Sequence, residues 1–136
     1  MSLFSGIKKA FSGSDVDSSF WNYPEEISDI DEIHKLSDEK PQLIYKHSNS
    51  CSICWFAKGE IESASEAIGK LSDCHYINVV RMRDISNAAA SKTGVIHQSP
   101  QVLILHKGEV VWNASHGQIR AYSILQALRK SSSSGE

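Results

Sequence analysis

The chain has 136 residues, a hydrophobic fraction of 40%, a charged fraction of 22% and a formal net charge of -2. That length suits one domain with a real core, and the near-neutral charge gives no electrostatic case for binding nucleic acid. No apolar run approaches the ~20 residues of a membrane span, and residues 1–13 lack an apolar core of signal-peptide length, so the expectation is a cytoplasmic protein in a reducing compartment.

Residues 1–19 mix glycine, serine and charge around isolated Phe4, Ile7 and Phe11. One or two turns of amphipathic helix around Lys8 and Lys9 would be marginal alone, so a flexible tail is expected. The domain is set at 20–130. Phe20-Trp21-Asn22-Tyr23 reads as a short edge strand closed by Pro24. Ser28 or Asp29 is the expected cap of a helix that carries Ile30, Ile33 and Leu36 at helical spacing and stops before Pro41. Gln42 to Lys46 is a short apolar run, read as a buried strand.

Next comes Tyr45-Lys46-His47-Ser48-Asn49-Ser50-Cys51-Ser52-Ile53-Cys54. A strand enters a polar loop, two cysteines follow three positions apart, and a helix begins. Ala57, Ile61, Ala64, Ile68 and Leu71 give that helix one apolar face and a predicted length of about five turns. His75 to Val80 is the next strand. Ser86 is expected to cap a short helix, Asn87 to Thr93, ended by Gly94 in a left-handed cap. Beyond Pro100, Val102 to Leu105 is a further central strand. His106-Lys107-Gly108-Glu109 reads as a tight turn with Gly108 at positive φ, and Val110 to Trp112 pairs back as a hairpin. Ile119, Tyr122, Leu125 and Leu128 mark a last amphipathic helix, and residues 131–136 are expected to be disordered.

This order of elements is the thioredoxin-like arrangement: an α/β fold with a mixed sheet of about four to five strands flanked by helices. The cysteine pair falls where that fold carries its active site. Pro100 falls where the fold has a cis-proline, which would bring Ser99 beside Cys51.

A thiol at a helix N-terminus sees the positive end of the helix dipole and free backbone N–H groups, and both favour a thiolate. Cys51 is therefore the expected nucleophile. Cys54, one turn inward, is placed to resolve a mixed disulfide by attacking the Cys51 sulfur. A zinc site wants four ligands, commonly two pairs, and Cys74-His75 is a poor second pair because its members are adjacent. A metal site at the CxxC and two merely buried cysteines remain as lesser alternatives, as does a redox-inert or redox-sensing binding module. Cys74 reads as an inert cysteine at a strand start. His47 is a candidate to stabilise the Cys51 thiolate or steer its proton, and His116 a candidate to line a ligand groove. His34, His75, His97 and His106 show no metal-ligand spacing, and no cofactor motif is present.

Three stretches carry a family resemblance: Lys46-His47-Ser48-x-x-Cys51-x-Ile53, Val95-x-His97-x-Ser99-Pro100-Gln101, and Lys107-x-Glu109-Val110-Val111-Trp112-x-x-Ser115-His116. Over roughly residues 25–130 the chain resembles the monothiol bacilliredoxins. The resemblance implies a cytoplasmic thioredoxin-like enzyme that removes bacillithiol, a low-molecular-weight thiol, from protein mixed disulfides. It puts the reactive cysteine on Cys51 and the cis-proline on Pro100. From their positions along the chain, Ser99, Pro100, His47 and His116 are the candidate substrate-binding residues. The family usually reads Cys-Pro-Ile-Ser. Ser52 and Cys54 depart from it, which allows internal resolution to a Cys51–Cys54 disulfide and the need for an electron donor.

Overall fold

The computed structural model describes Lys8–Lys9 and residues 19–134. Its elements are β1 (Lys8–Lys9), β2 (Trp21–Tyr23), α1 (Ile27–Leu36), β3 (Gln42–His47), α2 (Ser52–Ser63), α3 (Ser65–Leu71), β4 (Asp73–Asn78), α4 (Arg83–Thr93), β5 (Gln101–His106), β6 (Glu109–Ser115), a 3-10 turn (His116–Gln118) and α5 (Ala121–Ser134). The strands form one sheet in the order β1-β2-β4-β3-β5-β6. β2, β4 and β3 run parallel, while β5 and β6 are antiparallel additions on the far side of β3. The fold is thioredoxin-like. The sixth strand, beyond the four or five expected, is Lys8–Lys9, paired antiparallel with Asn22 and Tyr23 in a stretch expected to be a loose tail. Phe4, Ile7 and Phe11 lie outside the described residues.

β3 is central, with partners on both edges, and all six of its residues are buried. Because side chains alternate across a strand, it feeds two cores. Leu43 and Tyr45 pack with Val102, Ile104 and the apolar faces of α2, α3 and α5. Ile44 packs with Ile77, Leu103 and Leu105 under α1 and α4. Among the described residues no helix is long and apolar enough to cross a membrane.

Several boundaries differ from expectation for local reasons. The α1 cap is Glu26, not Ser28 or Asp29. Asp29 instead reaches back, its carboxylate accepting the Glu25 and Glu26 backbone N–H groups at 3.0 Å each. The long helix is broken at Ala64 into α2 and α3. Ser63 Oγ donates to the Glu60 carbonyl at 2.7 Å, the acceptor that an unbroken helix would give to the Ala64 N–H. That N–H turns to Ile61 O instead. β4 starts at Asp73 rather than His75. It ends at Asn78 rather than Val80 because the Asn78 side chain accepts the Val80 and Arg81 N–H groups, each at 3.1 Å, and turns the chain. α4 begins at Arg83, so Ser86 lies buried within it rather than capping it, while Gly94 ends it at φ 74.

Lys107 (φ 56) and Gly108 (φ 79) make the two-residue turn of the β5–β6 hairpin, whose mirror-image form needs positive φ at both positions. In α5 the buried stripe is Ile124, Leu128 and Ser131, and Tyr122 is exposed rather than part of it. The helix continues to Ser134 through a stretch expected to be disordered. Ser131 is held in place by a hydrogen bond between its Oγ and His106 Nδ1.

Candidate functional site: a cysteine pair at the start of a helix

Cys51 is the N-cap of α2, in extended backbone with φ -110. Its N–H bonds Ser48 O at 3.2 Å and its carbonyl accepts the Cys54 N–H at 3.1 Å, which closes the loop onto the helix. The neutral thiol makes no cap hydrogen bond. The backbone N–H of Cys54, then the Cys54 thiol and then the Ile53 N–H are nevertheless disposed to stabilise the anion. Together they hold the Cys51 pKa below that of an ordinary thiol against a small opposing effect of burial. No acidic side chain lies in the first turn of α2 to cancel this.

Cys54 is the opposite case. It is fully buried, and burial lifts its pKa to about 11, with the neighbouring Cys51 adding to the rise. The Ser48 N–H, 3.4 Å from its sulfur, and the Ser99 hydroxyl oppose that shift. The pair is thus one half-exposed, acidified thiol and one buried, protonated thiol. Both are free cysteines.

Ser99–Pro100 is a cis peptide. Pro100 is buried and Ser99 half-buried, and the Ser99 hydroxyl faces the Cys54 sulfur. The Pro100 carbonyl accepts the backbone N–H of His116 at 3.1 Å, so His116, exposed at φ 56, sits beside the proline. The structure therefore brings together Cys51, Cys54, Ser99, Pro100 and His116.

His47 does not join them at the surface. It is fully buried under Trp55, whose ring meets it edge-on at 4.5 Å between centroids. Burial first, and then the Lys58 ammonium, push its pKa down to about 4. It is therefore neutral, and the reading of His47 as a cation beside the thiolate or as a substrate contact is corrected by its burial. Its role is internal. Tyr45 Oη lies 2.7 Å from the Cys54 carbonyl and 2.8 Å from His47 Nδ1. A carbonyl only accepts, so the single Tyr45 proton goes to Cys54 O and His47 Nδ1–H must donate to Tyr45. This chain ties β3 to the backbone of the inner cysteine.

Sequence reasoning passed over Tyr45 as mere core. The signal was there: Tyr45 and His47 are two apart on one strand and so share a face. Trp55, which the sequence offered as a cover for the site or as core, donates through Nε1–H to the Asn49 carbonyl at 2.9 Å and clasps the loop. Lys58 completes the surround, paired with Glu62 at 2.7 Å and 6.0 Å from the Trp55 and Tyr76 ring centres. Exposed Ile53, Trp55, Phe56 and Ile96 leave an apolar rim on α2 and on the loop before Ser99.

Cys74 is elsewhere. It is buried in β4, paired in register with Leu43 and Trp21 at the strand ends remote from the cysteine loop, and burial raises its pKa strongly. Among the described residues no group of three or more His, Cys, Asp or Glu side chains is arranged to hold a metal ion.

A family model described as monothiol bacilliredoxin BrxC matches residues 24–124. A solved structure described as a candidate oxidoreductase with a thioredoxin fold is 31% identical with a TM-score of 0.69, covering 79% of this chain and 93% of its own. A variant thioredoxin from Halobacterium salinarum aligns with a TM-score of 0.63 at 18% identity, covering 88% of this chain and 96% of its own. A thioredoxin from Trypanosoma brucei brucei gives 0.61 at 15%, covering 79% and 87%. The last two speak to the fold alone.

Proposed function

Since the chain belongs to the monothiol bacilliredoxin family, we propose that it is a thiol–disulfide oxidoreductase that removes a low-molecular-weight thiol, bacillithiol, from protein mixed disulfides in the cytoplasm. The Cys51 thiolate attacks the small-thiol sulfur of the mixed disulfide. A bond forms between those sulfurs, the client's sulfur leaves as a thiolate and takes up a proton. Cys54 then loses its proton and attacks the Cys51 sulfur, releasing the small thiol and leaving a Cys51–Cys54 disulfide. Two electrons from an external thiol or dithiol reductant restore the pair. Without Cys54, a second molecule of the small thiol would release the first as its symmetrical disulfide.

The observation that carries this reading is the asymmetry of the pair. Cys51 is half-exposed and acidified, so it is ready to attack, while Cys54 is buried and protonated, so it acts second. Ser99, Pro100 and His116 are the proposed walls of the substrate groove, and the apolar rim of Ile53, Trp55, Phe56 and Ile96 suits an unfolded or flexible client segment.

Mass spectrometry after treatment with bacillithiol disulfide tests the reading. A mixed disulfide at Cys51 or a Cys51–Cys54 disulfide is expected, and neither forming would leave a redox-inert binding module. Cys54→Ser then separates the two routes. Accumulation of the Cys51 adduct assigns resolution to Cys54, and full de-thiolation activity assigns it to a second small thiol.

A further inference from the structure

Lys46 is fully buried, yet it lies at the end of β3 only five positions before Cys51. It points to the face opposite Tyr45 and His47. Its Nζ carries three N–H groups, and its hydrogen-bond partner among the described residues is His97 Nδ1 at a long 3.4 Å. No carboxylate pairs with it among the described ion pairs, and burial alone lowers its pKa to about 8. Gln101, its register partner on β5, donates through Nε2 to the Ile96 carbonyl and leaves Oε1 buried without a partner. Buried polar groups this poorly satisfied call for an explanation.

His97 supplies one. An ammonium can only donate, so Nδ1 of His97 is the acceptor, shared with the Ser86 hydroxyl also at 3.4 Å. Neutral His97 must then carry its proton on Nε2. The residue is exposed, and among the described residues Nε2 has no hydrogen-bond partner. The charges that act on the ring are both positive, Lys46 and Arg83. The result is an exposed N–H donor backed by a buried cation. It stands two residues before Ser99, within about 7 Å along the chain, on the loop that crosses the cysteine pair.

We propose that His97, polarised by Lys46, binds a carboxylate carried by the low-molecular-weight thiol. His97 is the contact and Lys46 the positioning residue behind it. The inference rests on the thiol-exchange reading above and adds a selection rule to it: anionic small thiols are preferred over neutral ones.

The test measures second-order rates of reaction at Cys51 with two small disulfides, anionic dithiodipropionate and neutral 2-hydroxyethyl disulfide. Lys46→Met and His97→Leu are each expected to slow the anionic reagent about tenfold, the scale of one hydrogen bond to a charged group, and to leave the neutral one within about twofold. The double variant should lose no more than either single one, because Lys46 acts through His97. Equal slowing of both reagents would mean a structural role and overturn the proposal, as would no slowing of the anionic one. If the native chain reacts with neither reagent, the thiol-exchange reading falls and this proposal with it. If it reacts with both and the variants do not discriminate, only this proposal falls.

A second measurement needs no variant. The chain's net charge of -2 alone would make an anionic reagent react faster as salt screens the repulsion. A local cationic site predicts the reverse. A rate with dithiodipropionate that falls with ionic strength supports the site, and a flat or rising one overturns it.

Discussion

The two ends of the sheet hold the same residue types and do opposite things with them. At one end Cys51 follows β3 and His47 closes it. At the other, Cys74 and His75 open β4, with Gln42 and Asp73 beside them. Both histidines are fully buried and both are pushed down to about 4, chiefly by burial. Each is used as a hydrogen-bonding strut: His47 Nδ1–H to Tyr45 Oη, and His75 Nε2–H to Gln42 Oε1 at 2.8 Å. The histidines therefore do not decide which cysteine reacts. The backbone does. Cys51 has left the sheet and meets the free N–H groups of a helix start. Cys74 stays in a strand whose N–H groups are committed to the ladder, so burial, reinforced by the neighbouring Asp73 carboxylate, dominates and raises its pKa.

The comparison breaks most easily at the thiols. Cys51→Ser should abolish adduct formation with bacillithiol disulfide, while Cys74→Ser should leave it intact. Adduct transferred to Cys74 would contradict the contrast. Alkylation of native protein by iodoacetamide should label Cys51 first, with a pH midpoint below that of a free thiol. Cys74 should be labelled only as fast as the sheet opens, slower by orders of magnitude. Peptide mass mapping over a time course reads both.

The struts come next. Tyr45→Phe leaves the His47 Nδ1–H buried without a partner and removes the second hydrogen bond of the Cys54 carbonyl. It should lower unfolding free energy by about 1–3 kcal/mol in urea titration, and the loss should appear at the reactive end first in hydrogen exchange. The acid response is shared between the ends. Each histidine binds its proton in the unfolded chain near pH 6.5 but in the folded chain only near 4. The unfolded state therefore holds more protons in that window, and stability falls as pH drops from about 6.5 to about 4. His47→Asn and His75→Gln should each flatten that slope, and urea midpoints across the window would show whether one end dominates. The smallest effect belongs to the inert end. Ser131→Ala breaks the bond to His106 and should cost about 1 kcal/mol, with no change in the rate at Cys51.

The element order and the reactive loop were legible because their signals are local. The apolar run at Leu43 to Tyr45 is strand length, Pro41, Gly94 and Pro100 punctuate the chain, and two cysteines at a helix start have few bland explanations. What was missed depends on contacts between distant parts or on competition within a turn. Ser63 taking the Glu60 carbonyl breaks a helix whose apolar spacing reads as continuous. The serines after Lys130 are helical because His106 receives Ser131, 25 positions away. His47 beside a polar loop suggests a solvent-facing base, and only the Trp55 ring lying over it makes it a buried strut. Lys46 and His97 are 51 positions apart, so neither hints at the other.

The placement of Trp55 also gives the protein an optical property. Of its three tryptophans, Trp21 is sealed in the core and Trp112 is half-buried, while Trp55 is half in water and tied by its indole N–H to the Asn49 carbonyl, two residues from Cys51. Its emission colour is therefore set by how closely the 48–51 loop holds to the helix. Comparing the native chain with Trp55→Phe would isolate that ring's emission and read the loop without a label.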